Sequence, residues 1–384
     1  MFFNNNSTYP LGLDISDLSL KLVQLNKNGG KVKIQAISKV NLPPGYFIDG
    51  EIKNEEEIIK AIKGLIDNPK LGKVSSREVV ACLPETKTFI KLIEIEKTEN
   101  KLSAAIESEI EKHIPVSINE IYYDWQVIKD LPDRKLILIG AAPKSVVKQY
   151  TDLLDAAKLS VIALEIESIS ICRSLLAEEN FKYKGDFNKN YGIIDIGAKR
   201  TSLAVYSKNT ILFTISMPIS GEEITKKIAE ALNIEIEQAE KAKIICGLDE
   251  NKAGGIIKNI LSDTIDILTK KIGEAVEFYN YHFSDRGPIN EIILCGGGAK
   301  IKNLDKILSK SLLVETTVGD ALTNLGEAGE KFSKILAETH RLDINISPKN
   351  KKGENKALSL TQDTSLTFTT AIGLALRAIF IDEL

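Results

Sequence analysis

The residues with the clearest chemical potential are two aspartates, each near the end of an apolar run and followed by a turn. Asp195 stands in Y-G-I-I-D-I-G-A-K-R-T-S-L-A-V-Y, residues 191–206, and Asp14 in L-G-L-D-I-S-D-L-S-L-K-L-V-Q-L, residues 11–25. A carboxylate at a strand end can hold Mg2+ through water, and a turn that lacks a Cβ, as at Gly197, lets backbone N–H groups approach an anion. This is phosphate chemistry. An ordinary hairpin with one exposed aspartate would read the same way taken singly. The repetition weighs against that: Leu13-Asp14-Ile15 matches Ile194-Asp195-Ile196, and each copy opens one half of the chain.

Three further stretches in the second half carry residue types suited to a nucleotide. In P-I-S-G-E-E-I-T, residues 218–225, Gly221 leads into a helix whose first N–H groups can meet a phosphate. In A-E-K-A-K, residues 239–243, Glu240 and Lys243 share a helix face, either as a solvated ion pair or as contacts to a ligand. In E-I-I-L-C-G-G-G-A-K, residues 291–300, a buried strand runs into Gly296, Gly297 and Gly298 ahead of a helix, bringing backbone close to a flat base or a phosphate.

These residues need strands and helices to hold them. Leu18, Leu20 and Leu22 alternate with Ser19 and Lys21, and Leu203 and Val205 alternate likewise, so each aspartate sits on a hairpin. Residues 31–40 predict a third strand, 54–66 an amphipathic helix with Glu55, Glu56 and Glu57 in its first turn, and 79–83 another strand. From residue 84 to about 159 the pattern changes to a small β-α-β-β-α module that interrupts the larger domain. Later, residues 256–283 predict a long helix, and residues 319–364 a long polar loop containing N-K-K-G-E-N-K.

Composition bounds the reading. The chain has 384 residues, 43% of them hydrophobic, and a formal net charge of −3, enough for two or three cores and unlike a general nucleic-acid binder. Cys82, Cys172, Cys246 and Cys295 are far apart with no C-x-x-C spacing, which favours buried reduced thiols. The Asn-rich start lacks the basic and apolar segments of a signal peptide, and no uncharged apolar run is long enough to cross a bilayer. A cytoplasmic protein without direct membrane insertion is expected.

The paired hairpins resemble the phosphate 1 and phosphate 2 hairpins of the actin-like ATPase superfamily. L-P-E-T-K-T-F-I-K-L-I-E-I-E, A-I-E-S-E-I-E-K-H-I-P, Y-Y-D-W-Q-V-I, A-A-P-K-S-V-V-K-Q-Y and L-E-I-E-S-I-S-I-C-R-S-L are similar to one branch of it, the PilM family of type IV pilus assembly proteins. The resemblance implies an α/β, actin-like, ribonuclease H-like fold with an inserted α+β module of the 1C type. Subdomain 1A would cover 10–84, 1C 85–160, a connecting helix 161–188, 2A 189–220, 2B 221–289, and 2A with the final helix 290–384. It implies ATP and Mg2+ in the cleft between halves, with Asp14 and Asp195 on the metal side. Ser16, Lys21, Gly197, Thr201, Gly221, Glu240, Lys243, Gly296, Gly297 and Gly298 would surround the nucleotide.

Two departures from that pattern bear on turnover. Glu167 stands where relatives place a water-positioning glutamine, and Ser16 replaces a glycine of the first hairpin, so at most slow ATP hydrolysis is expected. Ser220 likewise occupies a position where the family has glycine. The implied partner is the N-terminal cytoplasmic peptide of a bitopic, PilN-like pilus membrane protein, held between 1A and 1C, which would make the chain peripheral to the inner membrane. Pilus motor or platform components and further copies of the chain complete the candidate partners. An FtsA-like filament-forming division protein shares the architecture but ends in a membrane-targeting helix, whereas A-I-G-L-A-L-R-A-I-F-I-D-E-L reads as a final core helix. A sugar kinase of the same superfamily would need a catalytic aspartate and a sugar pocket that the sequence does not display.

Overall fold

The computed structural model describes residues 8–28, 31–97, 102–114, 116–177, 189–325 and 365–381. The first half opens with β1 (Leu11–Ser16), β2 (Ser19–Asn28) and β3 (Lys31–Asn41), then the short pair β4 (Phe47–Ile48) and β5 (Glu51–Ile52). Helix α1 (Glu55–Asp67) follows, with β6 (Leu71–Gly72) and β7 (Glu78–Leu83) behind it. The Asn54 side chain caps α1 by accepting from the Glu57 N–H, and Ile58, Ile62, Leu65 and Ile66 form its buried stripe.

The inserted module comprises β8 (Phe89–Glu96), α2 (Leu102–His113), β9 (Ile121–Asp130) and β10 (Arg134–Pro143). Its sheet has the order β8-β10-β9 and is antiparallel throughout. Helix α3 (Lys144–Ala156) had been expected inside this module, but its buried face of Tyr150, Leu153 and Leu154 joins Ile58 and Ile62 in the core of the first sheet. Residues 161–166, the start of the expected connecting helix, instead belong to β11 (Ser160–Ile166), parallel to β7. The connecting helix is the shorter α4 (Glu167–Leu175), and the rest of its expected range, from residue 178, lies outside the described residues.

The second half contains β12 (Asn190–Ile196), β13 (Thr201–Ser207), β14 (Thr210–Met217), α5 (Gly221–Leu232), α6 (Ile236–Ile245) and α7 (Ile256–His282). It continues with β15 (Glu291–Cys295), α8 (Leu304–Leu312) and β16 (Glu315–Val318), and the chain's last described helix is α9 (Thr369–Ile381). The long polar loop lies outside the described residues from 326 to 364.

The two large sheets have one plan. The first has the order β11-β7-β1-β2-β3-β6 and the second β16-β15-β12-β13-β14. In each, three successive strands form an antiparallel meander, a later strand pairs in parallel with its first strand, and one more strand pairs in parallel with that one. Asp14 and Asp195 therefore occupy equivalent places near the carboxyl end of an inner strand, where open α/β sheets bind ligands.

Helix α9 had been expected to complete the second half. It lies instead across β1 and β2, where Ala371, Ile372, Ala375, Leu376 and Ile379 meet Val23, Leu25 and Ile37. It also crosses α4 closely: a Cβ on Gly373 would stand 1.8 Å from the Ser170 carbonyl oxygen, so no larger residue fits. Beside that crossing the buried Glu165 carboxylate accepts from Arg173 at 2.8 and 2.9 Å and from Arg377, tying β11, α4 and α9 together.

Candidate functional site

Both hairpins open onto one cleft between the halves, with a volume of about 1290 Å3. Asp14, Ser16 and Lys21 line it from the first hairpin, Asp195 and Gly197 from the second, and Glu167 from the start of α4. Gly221, Glu240, Lys243, Gly296, Gly297 and Gly298 line it too, so twelve of the thirteen residues singled out from the sequence meet in one place.

Thr201 is the exception. Antiparallel pairing sets Asp195 opposite Ser202 and Thr201 opposite buried Ile196, and alternate residues of a strand face opposite ways. Thr201 is fully buried and donates to the Ile219 carbonyl at 2.7 Å, while Ser202 reaches the cleft.

In the first hairpin the same register pairs Asp14 with Lys21. The Lys21 ammonium donates to Asp14 Oδ2 at 2.6 Å, and the Ser16 hydroxyl donates to Asp14 Oδ1 at 2.7 Å. Burial works against the Lys21 charge, but Asp14 and the nearby Glu167 and Asp195 outweigh it and raise its pKa. In the second hairpin no cation takes this place, since Ser202 stands where Lys21 stands in the first. Burial raises the Asp195 carboxyl to about 6, with Lys21 opposing the shift and Asp14 adding to it. Burial also lifts Glu167 well above the usual carboxylate range, and repulsion from Asp14, Asp195 and Glu85 adds to it. The Glu167 carboxylate accepts from the Thr370 hydroxyl of α9 at 3.1 Å.

Sequence reasoning missed Glu85. It follows β7, the strand beside β1, and lines the cleft with one carboxylate oxygen buried and unpartnered. Burial pushes its carboxyl up to about 7, against a hydrogen bond from Ser202 and with repulsion from Asp195. The available signal was an acid just past the end of the apolar strand at residues 79–83, after Pro84.

The glycine-rich turn after β15 is dictated by proximity to Asp195. Gly296 has φ +76°, and a Cβ there would lie 2.1 Å from Asp195 Oδ1; one on Gly298 would lie 2.1 Å from the Ile196 side chain. The helix at Gly221 behaves differently from expectation. Its N–H groups at Gly221 and Glu222 donate to the Gly197 and Ala198 carbonyls at 2.9 and 3.0 Å, and the Glu223 N–H donates to the Ser220 hydroxyl. The start of α5 thus holds the turn of the second hairpin, and these donors are occupied. Lys243 is buried, paired with Glu240 at 2.6 Å and donating to the Gly221 carbonyl and the Thr225 hydroxyl; it fastens α5 to α6 beneath the cleft wall.

The donor set is acidic: Asp14, Asp195 and Glu167 surround Lys21, and Glu85 lies close to Asp195 and Glu167. Such an excess of buried carboxylate suits a divalent cation accompanying phosphate. Among the described residues no three His, Cys, Asp or Glu side chains gather closely enough to hold a metal by themselves, so phosphate oxygens and water would have to complete its shell.

Two halves of like topology, each presenting an acid-bearing hairpin to a shared cleft, define an actin-like ATPase fold. Solved structures agree: an MreB5 of Spiroplasma citri bound to ADP matches with TM-score 0.53 and 15% identity over 89% of this chain and 100% of that one. A PilM-PilN type IV pilus biogenesis complex matches with TM-score 0.72 and 22% identity over 97% of this chain and 98% of that one. Residues 12–342 match the sequence profile of the type IV pilus assembly protein PilM, and the chain belongs to that family. The cell division protein FtsA of Bacillus subtilis is 24% identical over 271 residues, 62% of this chain, and the match spans 58% of that protein's length. No helix among the described residues is long and apolar enough to cross a membrane.

Proposed function

We propose that this protein is an ATP-binding adaptor of a type IV pilus or related secretion machine, working at the cytoplasmic face of the inner membrane. The observation that carries the nucleotide half of this reading is the meeting of Asp14 and Asp195, from equivalent hairpins, with Gly296, Gly297 and Gly298 in one cleft. Bound Mg2+ would neutralise phosphate charge. Asp14 and Asp195 would hold it through water, Lys21 would face the phosphates, and the glycine turn would admit the nucleoside against backbone. Lys21, now paired with Asp14, would be the cation available to phosphate, and Asp14 would then be available to the metal's water shell.

Hydrolysis would be slow on this reading. Glu167 stands where the resemblance implies a water-positioning glutamine, and its burial among carboxylates favours the protonated form, which accepts a proton from water poorly. Family membership, and the presence of PilN in the similar solved complex, support an N-terminal peptide of a bitopic membrane protein as the partner. An extended apolar peptide between the first sheet and the inserted module would gain roughly 25 cal/mol per Å2 buried, enough for micromolar affinity from two or three apolar anchors. The test is fluorescence anisotropy with a labelled peptide copied from the N-terminus of the neighbouring pilus membrane protein. Binding near micromolar that a scrambled peptide fails to reproduce supports the adaptor; equal affinity for both peptides refutes it.

A further inference from the structure

The sheet of the inserted module has two faces, and its own helix covers only one. Along β8 the side chains alternate: Ile93 and Ile95 join Ile106 and Ile110 of α2 in the module's core, while Ile90 and Leu92 point the other way. Ile90, Leu92 and Ile128 of β9 pack instead on the core of the second half. There β8, an edge strand of the module, runs beside β14, the edge strand of the second sheet. Lys129, next to Ile128, forms an ion pair with Asp285 just past α7.

The root of the module is fastened as well. Arg200, in the turn of the second hairpin, pairs with Asp49 at 3.0 Å. The Thr86 hydroxyl donates to the Asp49 carbonyl at 3.1 Å, and Glu85 accepts from Ser202 across the base of the cleft. A module inserted in the first half is thus held by the second half along one face and at its root.

We propose that the inserted module is a clasp across the two halves: the cleft opens only when the contact of β8 with β14 and the Lys129–Asp285 pair release. Whatever binds the module then shifts the opening of the cleft, and whatever fills the cleft shifts the module by the same coupling free energy. This rests on the nucleotide reading only for what the cleft holds; the clasp itself is a property of the empty protein.

Two native thiols report opening. Cys82 lies 4.0 Å from Asp14 Oδ1 and Cys295 3.7 Å from Asp195 Oδ1, both buried behind the cleft carboxylates. In the nucleotide-free full chain, their rates of modification by a maleimide are followed by mass spectrometry. Lys129→Glu sets two carboxylates face to face, and Leu92→Ala thins the apolar contact; each should speed both thiols about fivefold or more. The swapped pair Lys129→Asp with Asp285→Lys should return the rates to within about twofold of wild type. Unchanged rates in both single variants, or acceleration accompanied by equally faster hydrogen exchange in α9, overturn the clasp. A separate arm adds Mg·ATP to the wild type: failure to slow the labelling would count against the nucleotide reading, with the clasp judged by the nucleotide-free rates.

Discussion

Glu85→Gln should make the nucleotide-free protein more stable, and only at high pH. Burial, with Asp195 nearby, holds the Glu85 carboxyl at about 7 rather than its ordinary 4.5. Because the folded state keeps the proton to higher pH than the unfolded chain does, stability from this group is intact below pH 4.5 and falls as pH rises through about 7. At roughly 1.4 kcal/mol per pKa unit, ionising the group in the folded protein costs up to about 3 kcal/mol, and solvent reaching the cleft reduces that to about 1–2 kcal/mol. Glutamine keeps an acceptor for Ser202 and carries no charge. Urea denaturation at pH 4 and pH 8 measures the effect: equal stability at pH 4 and a gain of about 1–2 kcal/mol for the variant at pH 8 are expected. Asp195, raised to about 6, gives both proteins a further decline between pH 4 and 6 and cancels in the comparison. Parallel pH profiles for the two proteins would refute the burial argument.

Other substitutions test the frame around the cleft. Glu165→Ala leaves Arg173 and Arg377 without their shared carboxylate beneath α9 and should cost about 3–5 kcal/mol in a denaturant titration, with a loss under about 1 kcal/mol counting against a clamp. Gly298→Ala forces a methyl into the Ile196 side chain and should destabilise by about 1–3 kcal/mol, read as a lower melting temperature; an unchanged melting temperature would mean the turn yields freely. Phosphate release at saturating Mg·ATP should run far below about 10 per second, the median for enzymes. A rate near that median would show that a water-activating group other than Glu167 is at work.

The acid-bearing hairpins were legible because an aspartate inside an otherwise apolar strand is conspicuous, and its recurrence at the opening of each half matches the shared plan of the two sheets. The three strands and first helix of the inserted module were legible from their pattern, whereas α3, expected with them, packs on the first sheet. What escaped the sequence depends on register or on distant contact. Choosing Thr201 over Ser202 was an error of one residue along a strand, which reverses the face a side chain occupies. The occupied N–H groups of Gly221 and Glu222 depend on where the turn at residues 197 and 198 comes to rest, which local sequence does not encode. Helix α9 is apolar almost all round, so its pattern signals burial without naming the sheet; Gly373 and Arg377 choose the first half through contacts with Ser170 and Glu165 some two hundred residues away. Residues 160–166 follow α3 with only a short break, and their strand character emerges through pairing with β7.

The central claim is that Asp14 and Asp195 share a Mg·ATP site, and isothermal titration of the full chain with Mg·ATP, beside Asp195→Asn, tests it most directly. Asparagine preserves size and acceptor while removing the charge, so folding should survive and affinity for Mg·ATP should fall by about tenfold or more, with ATP in EDTA binding both proteins alike. Absence of binding heat from the folded wild type across a range of temperatures, or equal Mg·ATP affinity in the two proteins, would contradict the claim.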